Sequence, residues 1–187
     1  MKLFTAILTA GLVLTTGIVF AQTDPIGKVD TVTLYVETLA EGKWQISAHV
    51  FNDENIAAID IPIKYTAGIA KLKVDSVSFV GTRMENFDMK NSPIDTTGQM
   101  MRFGGIAYMS PKKPPMPPGN GEIARIYISA VGDKKPGPFA VDTTTYPPNA
   151  VKMMLVDENA KTIIPALKII AVEKSEGKAE TKKKSDK

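Results

Sequence analysis

One histidine, no cysteine and a scatter of carboxylates bound the chemistry open to this chain. His49 alternates with Gln45 and Ser47 in the run KWQISAHVFN, which places it on the outer face of a strand. A lone histidine can serve a catalytic triad, but no Gly-x-Ser-x-Gly elbow accompanies it. Nor can one histidine furnish a histidine-rich zinc site. The absence of cysteine removes disulfides, thiolate ligands and cysteine nucleophiles together. Carboxylates occur at Asp53-Glu54, Glu85, Asp88, Asp95, Asp142 and Asp157-Glu158. Two of them could flank a glycosidic bond only at the right spacing in space, which sequence does not give. No Asp-x-Asp-x-Asp-Gly calcium loop is present; loop carboxylates leave a calcium site open, and turn formation accounts for most of them. No catalytic constellation stands out, so the chain reads as a non-enzyme with no expected cofactor.

Methionine is the more informative residue. Met84, Met89, Met100, Met101, Met109 and Met116 crowd one stretch. Thioethers can hold Cu(I), but with a single histidine they fit core filling first and an adaptable partner surface second. The same stretch holds Arg83, Phe87, Met89, Met100, Arg102 and Tyr108, the arginine, aromatic and methionine content of protein-binding hot spots. These six are the candidate partner-binding residues. A sugar platform would need exposed, coplanar rings. The sole tryptophan, Trp44, shares a strand phase with Ile46, Ala48 and Val50 and is expected in the core, leaving Tyr35, Tyr108, Tyr127 and Tyr146.

The elements that must position these residues are strands. Val32, Leu34 and Val36 alternate, as do Trp44 to Val50, then Ile59, Ile61, Ile63 and Tyr65, then Leu72 and Val74, and later Ala124 to Ala130. Period-two alternation marks half-buried strands. The phase slips at Asp75-Ser76, which predicts a bulge or a change of sheet. QMMRFGGIAYM reads as a strand bent at Gly104-Gly105, SPKKPPMPPGNG as a stiff solvated connection, and KMMLVDENAKTIIPAL as a hairpin. Helical periodicity is confined to the first residues. The pattern predicts an all-β, two-sheet, jelly-roll-like sandwich of about nine strands. Pro62 stands inside the cleanest strand, where it has no N–H for the ladder. Flanked by Asp60 and Lys64, it is expected to protect a sheet edge, or else to mark a change of sheet.

The 187 residues carry a formal charge of +3. Residues 1–21 have the form of a secretory signal, with Lys2, an apolar run and a small-residue site at Val19-Phe20-Ala21. A lead (22–30), a folded body (31–172) and a lysine-rich tail (173–187) follow. The tail holds six lysines and four acids, so removing it and Lys2 leaves the body near neutrality. A near-neutral body excludes a basic nucleic-acid footprint. The mature chain is expected to be secreted or periplasmic, with no membrane span after signal cleavage.

The run ISAHVFNDENIAAIDIPIKYTAGIAKLKVDSVSFVG (46–81) resembles the cohesin-type domains and, more loosely, their carbohydrate-binding-module relatives. Its elements are a strand ending at Asn52, an alternating strand ending at Tyr65, and a strand ending near Gly81; GNGEIARIYISAVG is similar to a later strand of the family. Thr66 stands where many cohesin-like domains have an aspartate after the tyrosine. The resemblance spans roughly residues 31–172. It implies a nine-stranded sandwich that binds an extracytoplasmic protein partner, with polysaccharide binding or a structural place in an extracellular assembly as alternatives. It carries over no single binding residue.

Overall fold

The computed structural model describes residues 27–110 and 113–172, and every regular element in them is a strand. The expected signal, the first residues of the lead and the lysine-rich tail lie outside the described residues. Among the described residues no helix is long and apolar enough to cross a membrane.

Twelve strands form among the described residues: β1 (Thr31–Ala40), β2 (Lys43–Asn52), β3 (Ile56–Ala67), β4 (Lys71–Ser78), β5 (Met89–Asn91), β6 (Ile94–Asp95), β7 (Met100–Ile106), β8 (Gly119–Val131), β9 (Phe139–Thr143), β10 (Met154–Asp157), β11 (Thr162–Ile163) and β12 (Ala166–Val172). Nine were expected; the excess comes from the two- and three-residue strands β5, β6 and β11, too short to show alternation. One sheet runs β12-β1-β2-β8-β4. The other runs β11-β10-β3-β7-β5, with β6 on β7 and β9 on β3. All pairs are antiparallel except β1 with β12.

The alternating apolar sets face one another between the sheets. Leu34, Ile46, Ala48, Ile126 and Ile128 from the first meet Ile61, Ile63, Tyr65, Met101 and Phe103 from the second, all essentially without solvent contact. Each of the larger aliphatic or aromatic side chains contributes roughly 1.5–3 kcal/mol of burial free energy, which stands in for the missing disulfides. Trp44 is buried as expected and stacks on Phe139, ring centroids 4.8 Å apart. The slip at Asp75 appears as a register break between Val74 and Ser76 against β8. The 154–163 segment forms the expected hairpin, β10 with β11.

Three local expectations are corrected. Pro62 lies at no edge and at no change of sheet: β3 is central, paired with β7 along one side and with β10 and then β9 along the other. β10 pairs up to Asp60, β9 begins at Ile63, and the Pro62 carbonyl accepts from the Thr144 N–H at 3.4 Å. The N–H that proline lacks would point to that same side, into the gap between the two strands, so nothing is lost. Gly104 and Gly105 do not bend β7, whose register against β3 is unbroken. They permit close approach: an added Cβ would lie 2.0 Å from the Ile59 carbonyl oxygen or 2.1 Å from that of Met89. The proline-rich connection is not free of the body, because Met116 is buried and exchanges backbone hydrogen bonds with Ile56 at 2.8 and 2.9 Å.

Candidate recognition face

The outer face of the seven-stranded sheet is assembled by register. β3 turns Tyr65, Ile63, Ile61 and Ile59 inward, so Ala58, Asp60, Pro62 and Lys64 fall on the opposite face. Directly across on β7 stand Ile106, Gly104, Arg102 and Met100. β5 brings Met89 beside Ile106, and β10 brings Met154 beside Asp60 and Val156 beside Ala58. The result is a shallow groove of about 170 Å³ with apolar walls of Met89, Ile106, Met154 and Val156.

Asp60 and Arg102 lie in this groove as an ion pair, 3.5 Å apart, with side chains 23% and 25% exposed. The Arg102 guanidinium also stands 5.8 Å from the centre of the Tyr146 ring. Burial raises the Asp60 carboxyl above its ordinary value, and the neighbouring Arg102 only partly offsets this. Asp60 Oδ1 and Arg102 Nε are both buried and without a hydrogen-bond partner among the described residues. A buried polar atom left unpaired costs on the order of 1–3 kcal/mol. About a quarter of each side chain remains exposed in the groove, so the pair presents charge there to an incoming group.

The six residues singled out in the sequence separate here. Met89 and Arg102 line the groove, and Met100 lies beyond them on the same strand face, opposite Lys64. Tyr108 packs against the core from its margin, and Phe87 is buried in the core itself. Arg83 faces its own domain. It donates from Nη1 to the Val50 carbonyl (3.0 Å), Asn52 Oδ1 (2.8 Å) and the Gly119 carbonyl (3.0 Å), and from Nη2 to the Pro117 carbonyl (2.5 Å). Burial lowers its pKa from the usual guanidinium value. Asp60, Ile106, Met154 and Val156 were not singled out. The outward phase of Asp60 was legible, but which strands flank β3 was not.

The other candidates are structural or scattered. His49 lies on the outer face of the five-stranded sheet, edge-on to Tyr35 at 4.9 Å, with its pKa lowered chiefly by burial. Of the clustered methionines, Met84, Met101 and Met116 are core residues. One acidic group does converge: carboxylate oxygens of Asp30, Asp53 and Glu54 lie within 4.8 Å of one another. The Lys28 N–H donates to Asp53 Oδ2 at 2.5 Å and the Asp53 N–H to Asp30 Oδ1 at 3.2 Å. These bonds make the cluster a brace between the lead into β1 and the β2–β3 turn.

Solved structures with the same arrangement of two sheets are cohesin domains. The third cohesin of ScaC from Acetivibrio cellulolyticus, solved in complex with the ScaB dockerin, superposes with a TM-score of 0.58 at 13% identity, covering 77% of this chain and 99% of that one. The fold is that of a cohesin domain. The OlpC cohesin of Clostridium thermocellum, in complex with Doc435, gives 0.57 at 15% identity over 78% of this chain and 96% of its own. The OlpA cohesin from the same organism, in complex with Doc918, gives 0.55 at 13% identity over 78% and 100%. No protein-family model and no curated protein matches the sequence. The cohesin fold is thus shared here at only 13–15% sequence identity.

Proposed function

We propose that this chain is an exported, non-catalytic recognition module that docks a protein partner on the outer face of its seven-stranded sheet. The observation that carries this reading is the Asp60–Arg102 pair, partly exposed in a groove walled by flexible methionines. A partly exposed charge pair set among apolar walls lets a partner draw affinity from the walls and specificity from the charges. Methionine walls suit a surface that adjusts to another protein. The cohesin fold supports the same reading, since the solved relatives quoted above were all captured with another protein bound. Rings speak against polysaccharide: Trp44 is in the core and Tyr35 packs edge-on to His49. Export rests on the form of residues 1–21.

The test is capture from the source organism's envelope and secreted fraction by the mature chain from Gln22, beside a polysaccharide panel. One protein retained by the parent chain and lost with Arg102→Glu and with Met89→Lys, both variants melting as the parent does, supports the proposal. Equal retention by the variants, or retention on a polysaccharide alone, overturns it.

A further inference from the structure

The sheet edges are unequally guarded. β4 carries Lys71, Lys73 and Asp75 and breaks register midway. β5 and β11 hold three and two residues. Charge, bulges and brevity are the means by which edges avoid recruiting further strands. β12 has almost none of them. It pairs with β1 over seven consecutive residues without a register shift, contains no proline and one lysine, and among the described residues forms the border of its sheet. Ile169, Ile170 and Val172 are 45%, 41% and 41% exposed, and the exposed Val29 and Ile164 lie beside its start.

We propose that β12 is a self-association edge, at which two copies of this chain pair antiparallel about Ile170 and join their five-stranded sheets into one. The local chemistry selects this occupant and this register. Pairing about Ile170 sets Ile170 against its counterpart, Ile169 against the partner's Ala171, and Lys168 against the partner's Val172. β1 already places Tyr35 beside Ile170 and Glu37 beside Val172. The seam's outer face then reads Tyr35, Ile170, the partner's Ile170 and the partner's Tyr35. Each Lys168 lies across the partner's Val172 from the partner's Glu37. The central direct pairs are apolar, Ile170 with its counterpart and Ile169 with the partner's Ala171, and attraction between Lys168 and the partner's Glu37 adds to them. In-register parallel pairing would instead bring the two Lys168 side chains together. Antiparallel pairing separates them.

The absence of cysteine makes the arrangement directly readable. The mature chain is examined by sedimentation velocity over a concentration series, with single-cysteine variants at Lys168, Ile170 and Val172 and a control at Ile69, which is exposed on the β3–β4 turn. A reversible dimer is expected, with Ile170→Cys forming disulfide dimers about tenfold faster than the other positions, because only there do the Cβ atoms meet across the seam. Two copies of Lys168→Cys, or of Val172→Cys, would stand roughly 13 Å apart along it. Ile170→Lys should be monomeric while melting as the parent does. A monomer at every concentration, or any dimer in which position 170 does not lead, overturns the proposal.

Discussion

Replacing Arg83 by alanine removes a guanidinium shared by three separate stretches of chain: the end of β2, the start of β8 and the loop before it. A hydrogen bond with a charged partner contributes about 1.5–3 kcal/mol net. Nη1 has two protons for three acceptors, so one is shared, and the side chain is only partly buried, so water replaces part of what is lost. The four bonds therefore do not add in full, and the expected loss is about 3 kcal/mol. In a domain of this size that lowers the melting temperature by about 6–12 °C. Lysine keeps the charge without the planar fork and should cost roughly half as much. Urea unfolding followed by the fluorescence of Trp44, the single tryptophan, measures both. At temperatures where the variant is folded, partner capture should match the parent. A loss below about 0.5 kcal/mol, the size of an ordinary surface change, would refute the bracing role. Lost capture in a fully folded variant would return Arg83 to the recognition surface.

Two further substitutions probe the groove and its floor. Asp60→Asn should hold or raise the melting temperature at pH 7, because burial outweighs Arg102 and leaves the charged carboxylate disfavoured in the folded state. The stability tied to a raised carboxyl is present at low pH and lost as pH rises through the folded value. The gap between variant and parent should thus close as pH falls into the carboxylate range, and a variant that melts lower at pH 7 would refute this sign. Gly104→Ala should cost about 3 kcal/mol or more, since the new Cβ meets the Ile59 backbone oxygen rather than a movable side chain. Gly81→Ala, with positive φ but open space around it, should cost only about 1 kcal/mol, and equal melting temperatures for the two would refute the close-approach argument.

Much of the fold could be read because burial leaves a period-two imprint on a strand. Leu34, Ile46, Ile61, Ile126 and their neighbours face the core as their spacing said, and even the bulge at Asp75 showed as a phase slip. What could not be read is pairing between distant strands. Pro62 looked like an edge residue because sequence shows the missing N–H but not the gap between β10 and β9 that excuses it. Arg83 looked like a hot spot by composition, yet its acceptors come from residues 31 to 36 positions away. Half of the face proposed for recognition comes from residues that the sequence singled out, Met89, Met100 and Arg102. The other half, Asp60, Met154 and Val156, joins it only through cross-strand register.

The parallel pairing of the first strand with the last constrains the order in which the domain can be completed. Parallel neighbours need a long crossover, and here the crossover is the rest of the domain, from Ala40 to Ala166. As the chain is made, β1 can pair early with β2, but its other edge stays bare until Ala166–Val172 arrives. An incomplete chain therefore exposes Tyr35 and its neighbours along a long, open strand, the kind of surface on which nascent chains clump. Closure is a late event with high contact order, and a chaperone that holds the growing chain would have its greatest effect on that edge.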